Sequence, residues 1–146
     1  MLRGCYTTRI DDKGRLKLPT VFRSKVVEQY GTSLYVTSVR GDSVLIYPMP
    51  IWEAIEQRVA RTPSTHPSLG RFTDRISYFG QETEIDSQGR ILLSQRLRGS
   101  AAMQAEVDVL GKMNFLEVWN HDRFETKLQR EPYTDDDARA LAELGL

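Results

Sequence analysis

Residues 10–19 read IDDKGRLKLP, and residues 85–94 read IDSQGRILLS. Each stretch carries an Asp, an Arg four positions on and a Gly just before the Arg, and the two lie 75 residues apart. Around this pair, Thr8 matches Thr83, Leu16 matches Ile91, Leu18 matches Leu93 and Arg23 matches Arg98. Phe22 corresponds to Leu97, both large and apolar. Further on, Val44–Tyr47 followed by Trp52 corresponds to Leu116–Trp119 followed by Phe124, at a slightly smaller offset. An internal repeat of this kind organises the whole chain. Two copies are too few for a solenoid, so they are expected to form a pseudo-symmetric pair around one shared core.

The local pattern within each copy is the same. In the first, Tyr6–Ile10 reads as a strand and Asp11–Gly14 as a tight turn, with Gly14 supplying positive φ. Arg15–Leu18 alternates polar and apolar as a half-buried strand does. Pro19 opens a helix that carries Phe22, Val26 and Tyr30 on one face and stops at Gly31. Two further strands flank Arg40-Gly41-Asp42, and a helix begins at Pro50. The second copy repeats this with strands at 83–85 and 90–93, Ser94 as a helix cap, strands at 106–110 and 114–119, and a helix from Asp122. The expected division is residues 1–61 for the first repeat, 62–80 for a linker and helix, and 81–130 for the second repeat. Residues 131–146 form an acidic C-terminal helix capped at Thr134. Within 62–80 the helix is expected over 71–79.

The chain has 146 residues, a formal net charge of zero and one cysteine. A single cysteine allows no internal disulfide and no thiolate metal cluster, and suits a reducing cytoplasm. Cys5 is expected to be a small buried apolar residue. No apolar run is long enough to span a bilayer, and no signal-peptide pattern opens the chain. The zero charge is a cancellation. Residues 1–30 hold seven basic residues against Asp11, Asp12 and Glu28, a net of +4, whereas residues 131–146 carry a net of −4. That asymmetry has two readings, of which charge alone favours the first: a solvated surface with an acidic last helix, or an anionic partner at the N-terminal end.

The Asp–Arg pairs have a structural reading. A carboxylate can accept turn amides and hold the guanidinium, fixing the loop without any ligand. The functional reading concerns what the fixed loop presents. Lys13, Arg15 and Lys17, with Arg3 and Arg9 expected nearby, suit phosphate contacts, and an Arg can be bidentate to a guanine edge. The second copy has Ser87, Gln88 and Leu92 where the first has Asp12, Lys13 and Lys17, so the first reads as the binding surface and the second as mainly structural, or adapted to contact another subunit. An enzyme is not expected. His66 and His121 have no triad or metal spacing, His121 reads as a capping or surface residue, no Gly-rich phosphate loop is present, and each Asp has an Arg that keeps it ionised.

With Met1-Leu2-Arg3-Gly4 at the start and the two Asp-x-x-x-Arg motifs, the chain resembles the MraZ family of bacterial transcriptional regulators over nearly its whole length. The resemblance implies an α+β fold of two tandem AbrB-like, swapped-hairpin half-units forming an intramolecular pseudo-dimer with short flanking helices. It implies a ring-shaped homo-oligomer, often an octamer, that binds direct repeats of double-stranded DNA in the promoter of its own division and cell-wall operon, with repression the expected effect. The DNA-binding set carried over is Arg3, Lys13, Gly14, Arg15 and Lys17. The structural set is Asp11, Arg15, Asp86, Gly89 and Arg90. No cofactor, metal, small-molecule substrate or membrane is implied, and the location is the cytoplasm, with the nucleoid. Leu2 stands where the family has Phe and Ser94 where it often has Pro. The competing reading is an AbrB-type interaction module such as an antitoxin, which generally has one motif copy and a disordered tail.

Overall fold

A computed structural model describes residues 1–146. The fold is mixed α+β, with six helices around an eight-stranded, nearly closed antiparallel sheet. The first half runs β1 (Cys5–Ile10), β2 (Arg15–Lys17), α1 (Thr20–Tyr30), β3 (Ser33–Thr37), β4 (Val44–Pro48) and α2 (Met49–Ala60). Helix α3 (Pro67–Tyr78) follows. The second half runs β5 (Gln81–Glu84), β6 (Arg90–Leu92), α4 (Gln95–Ser100), β7 (Ala105–Gly111), β8 (Leu116–Asn120) and α5 (His121–Arg130), and α6 (Asp135–Ala142) ends the chain.

The strand order is β5-β3-β4-β8-β7-β1-β2-β6. Its symmetry is that of the repeat. Strand β1 lies on β7, from Cys5 opposite Leu110 to Ile10 opposite Ala105, and β5 lies on β3, from Gln81 opposite Val36 to Glu84 opposite Ser33. The first strand of each half therefore pairs with the third strand of the other. Equivalent strands also meet, β4 on β8 and β2 on β6. The two sheet edges, β5 and β6, are joined by one turn. Asp86 N–H donates to the Arg90 carbonyl at 2.9 Å, and Gln81 Nε2 to the Leu92 carbonyl at 2.9 Å.

The core follows the doubled pattern. Leu16, Leu18, Phe22 and Val26 from one half and Ile91, Leu93, Leu97 and Ala101 from the other are all buried. Each large apolar side chain removed from water in this way contributes about 1.5–3 kcal/mol. Because the first strand of each half pairs along its length with the third strand of the other, the halves are buried together.

Several expectations are corrected. Helix α3 begins at Pro67, not at 71, because His66 Nδ1 accepts from Ser68 N–H at 3.2 Å and Pro67 occupies a first-turn position where a missing N–H costs little. Helix α5 begins at His121, with Asn120 as the cap accepting from Arg123 N–H. Cys5 is exposed. It shares a strand face with Thr7 and Arg9, opposite to that of the buried Ile10, since side chains alternate along a strand.

Candidate nucleic-acid interface

The first motif folds as its residue types dictate. Asp11 Oδ1 accepts from Lys13 N–H at 3.0 Å and from Arg15 N–H at 2.8 Å, while Oδ2 accepts from Arg15 Nε at 2.8 Å. The backbone closes with Gly14 N–H donating to the Asp11 carbonyl at 3.1 Å. Gly14 has φ 84°, a region that other L-residues enter only with strain. These N–H donors, with the guanidinium, hold the Asp11 carboxyl below the usual carboxylate range.

The second motif repeats the geometry with a looser ion pair. Asp86 Oδ1 accepts from Gln88 N–H at 2.8 Å and Arg90 N–H at 2.9 Å, but Arg90 Nε stands 3.4 Å from Asp86 Oδ2. The Asp86 carboxyl is lowered, chiefly by the Arg90 N–H. Gly89 has φ 78°.

The two turns lie side by side. Strands β2 and β6 pair with Lys17 opposite Arg90 and Arg15 opposite Leu92. Leu18 N–H donates to the Gly89 carbonyl at 3.0 Å and Leu93 N–H to the Gly14 carbonyl at 2.9 Å, one bond in each direction. Arg90 also reaches across to the first turn, its Nη1 4.0 Å from Asp11 Oδ2. Leu16, Leu18, Ile91 and Leu93 point into the core, so Arg15, Lys17, Arg90 and Leu92 share the outward face. Arg15 spends one of its five N–H donors on the Asp11 side chain, and its terminal amino groups make no hydrogen bond within the chain.

Among the residues expected at the interface, Lys13, Gly14, Arg15 and Lys17 are gathered at this one end of β1 and β2. Arg3 is not. It lies beyond the far end of β1, where Leu2 pairs with Met113, and the six residues of β1 span roughly 20 Å. Arg9 is on the outer face of β1, 3.8 Å from Glu106.

Two arrangements were not anticipated. Arg98 of α4 lies across Gly14 and Arg23 of α1 across Gly89, each reaching over the other half's turn. The signal was present, since Arg23 and Arg98 hold equivalent places in the repeat. The second is a polar cluster on the outer face of β1 and β7. Buried Asp108 accepts from Thr7 Oγ1 at 2.7 Å and pairs with His121 Nδ1 at 2.9 Å. The carboxylate raises the His121 pKa, with Glu125 and Glu106 adding to the effect. His121, Asp122 and Glu125 bring possible metal-ligating atoms within 4.8 Å of one another, but at the N-terminus of α5, whose dipole disfavours a cation.

A family model described as "MraZ protein, putative antitoxin-like" matches residues 1–75 and 80–144. The chain belongs to the MraZ family. Relatives bearing the name "Transcriptional regulator MraZ" include those of Acidobacterium capsulatum, 46% identical over the full length of both chains, and Koribacter versatilis, 37% identical, also over the full length of both. The MraZ of Escherichia coli O127:H6 is 34% identical over 97% of this chain and 91% of its own. In this MraZ chain the paired turns are each built on an Asp that engages the Arg four residues on.

Proposed function

We propose that this protein is a sequence-specific DNA-binding transcriptional regulator that uses the paired turns at the β2–β6 junction. The observation that carries this reading is the Asp11–Arg15 contact at 2.8 Å, which fixes the guanidinium at Nε and leaves its terminal amino groups without a hydrogen bond in the chain, on the strand face that Arg15 shares with Lys17. Lysines on a rigid loop position the duplex through phosphates, and a pre-oriented guanidinium reads a guanine edge. Arg3 is left out of this contact set because β1 separates it from the turns. Gly14 belongs to it as the residue that lets the loop form.

The fold is proposed to be an AbrB-like swapped-hairpin pair within one chain, supported by the exchange of β1 and β5 between halves. Residues 1–61 and 81–130 form its two units, with 62–80 linking them and 131–146 appended. One copy offers few cations, so binding gains from a homo-oligomeric ring, often an octamer in this family, that sets several copies on direct repeats. The proposed target is the promoter of the protein's own division and cell-wall operon, with repression as the effect, in the cytoplasm at the nucleoid. No catalysis is proposed. The Asp11 and Asp86 carboxyls sit low and engaged, unlike a group poised for proton transfer.

The deciding experiment is a fluorescence-anisotropy titration against the duplex upstream of the protein's own gene, beside a scrambled duplex, at two salt concentrations. Tighter binding to the native duplex with a steep loss at higher salt is expected. Equal weak binding to both would overturn the reading. Co-purification with a small basic protein would then favour the antitoxin-like alternative that the family description names.

A further inference from the structure

On the outward face of the β2–β6 ribbon, among Arg15, Lys17 and Arg90, stands one apolar side chain, Leu92. It lies directly opposite Arg15 in the register and is 51% exposed. An antiparallel sheet with one solvated face ordinarily puts polar residues there, and the first copy does so, with Lys17 at the equivalent place. Leu92 takes no part in the core, to which its neighbours Ile91 and Leu93 belong. Its backbone, by contrast, is held on both sides. Leu93 N–H donates to the Gly14 carbonyl of the first turn at 2.9 Å, and the Leu92 carbonyl accepts from Gln81 Nε2 at 2.9 Å. A fixed frame thus presents this side chain to solvent.

The neighbours of Leu92 on this face are all cations. Arg15 is across from it, Arg90 two residues before it, and Lys17 across from Arg90. Directly opposed residues of an antiparallel pair have β-carbons about 4.5–5.5 Å apart. Successive bases along one DNA strand are about 3.4 Å apart. The Arg15–Leu92 pair is therefore matched to two bases one or two steps apart. A two-stranded ribbon fits the major groove, where the one apolar group among the base edges is the 5-methyl of thymine. A leucine in that setting has no hydrogen bond to offer, and covering such a methyl is the contact its chemistry allows.

From this placement we infer that Leu92 is a specificity-determining residue. It packs on the 5-methyl of a thymine one or two base steps from the base that Arg15 reads. The inference rests on the proposed DNA binding and deepens it by naming a second feature of the recognised site. The two halves then read in different ways across one ribbon, the first by hydrogen bonds from Arg15 and the second by apolar contact from Leu92. Exchange of the lysine for a leucine in the second copy trades a phosphate contact, which carries no sequence information, for a base contact, which does.

The test is fluorescence anisotropy with the duplex upstream of the protein's own gene, its thymines replaced one at a time by deoxyuridine. Each replacement keeps the base-pair hydrogen bonds and removes only the methyl. The wild type is expected to bind about fourfold more weakly at one or more of these positions, the scale of one methyl group left uncovered. Leu92→Ala is expected to bind the unmodified duplex more weakly, to lose nothing further at the same replacement, and to keep the wild-type melting temperature, because the side chain lies outside the core. Leu92→Lys, which gives the second copy the residue of the first, is expected to strengthen binding to a scrambled duplex, to steepen the salt slope by about 1 and to abolish the uracil penalty. The absence of a penalty at every position in the wild type would overturn the inference. So would a penalty of the same size in Leu92→Ala, which would assign the effect to DNA shape or to another side chain. The scrambled duplex separates this failure from the larger one. Equal wild-type binding to native and scrambled duplexes removes the DNA reading and this contact with it, whereas a native preference without any uracil penalty removes the Leu92 contact alone.

Discussion

Arg98 lies across Gly14, its Cδ 2.7 Å from where a β-carbon at residue 14 would stand and its guanidinium nearer still. It is not free to move aside, because its Nε donates to the Leu93 carbonyl at 3.1 Å. Gly14 is thus required twice, for positive φ and for the passage of the other half's arginine. Gly14→Ala is expected to cost about 1–3 kcal/mol, the scale of a strained non-glycine residue in the left-handed region. In an Arg98→Ala background the clash is gone and the strain remains, so the same change should cost roughly 0.5–1 kcal/mol less. Chemical denaturation of the four proteins in the cycle measures this coupling, and strict additivity would mean that Arg98 yields without cost.

Arg15 is the residue whose loss should separate binding from folding. Its side chain is half-buried at the surface and braces no core residue, so Arg15→Ala is expected to abolish sequence-specific DNA binding while shifting the melting temperature by a few degrees at most, the scale of a weak ion pair. Asp11→Asn keeps the guanidinium but removes the charge that aims it, and should weaken specific binding less than Arg15→Ala. Lys17→Ala should weaken binding to native and scrambled duplexes alike and reduce the salt slope by about 1. Wild-type affinity for Arg15→Ala in a gel-shift titration would remove the turn from the interface.

The turns were legible in the sequence because their chemistry is local. Asp at the first position, Gly at the fourth and Arg at the fifth specify who donates to whom within five residues, as do Ser94 and Thr134 at their helix starts. The exchange of strands between halves was a matter of resemblance only. Two copies of one pattern can satisfy the same alternation within a half or across halves, and periodicity does not distinguish these. Arg3 was grouped with the turn because it is near in sequence, yet an extended strand carries neighbours apart faster than any other element. The His121–Asp108 contact joins residues 13 apart on different elements, and nothing in the pattern of either marks the other. His66 was missed as a cap because a ring nitrogen rarely plays that part.

The paired carboxylates predict the acid limb of stability. Asp11 and Asp86 both titrate below their ordinary value, so their contribution is present above the unfolded value near 3.9 and is lost as pH falls through the lower folded value. The melting temperature should therefore fall as pH drops below about 4. The Asp11→Asn, Asp86→Asn double variant should melt lower than wild type at neutral pH and lose less on acidification. Parallel curves for the two proteins would place the acid sensitivity in other carboxylates.

The opposite limb belongs to His121. Buried Asp108, its first and strongest influence, and then Glu125 and Glu106 raise its pKa, while partial desolvation lowers it. The imidazole is therefore easier to protonate in the folded chain than in the unfolded one. The stability this linkage supplies is complete below the unfolded value near 6.5 and is lost as pH rises through the higher folded value. Above that, the neutral ring can still donate from Nδ1 to Asp108, but the charge on the bond is gone. The melting temperature of the wild type should decline from mildly acidic to mildly alkaline pH, and His121→Ala should flatten that decline while lowering the curve at its acidic end. Thr7 keeps Asp108 hydrogen-bonded in the variant, so the fold should survive the change. A decline of unchanged steepness in His121→Ala would show that the charge on this imidazole does not contribute to folding.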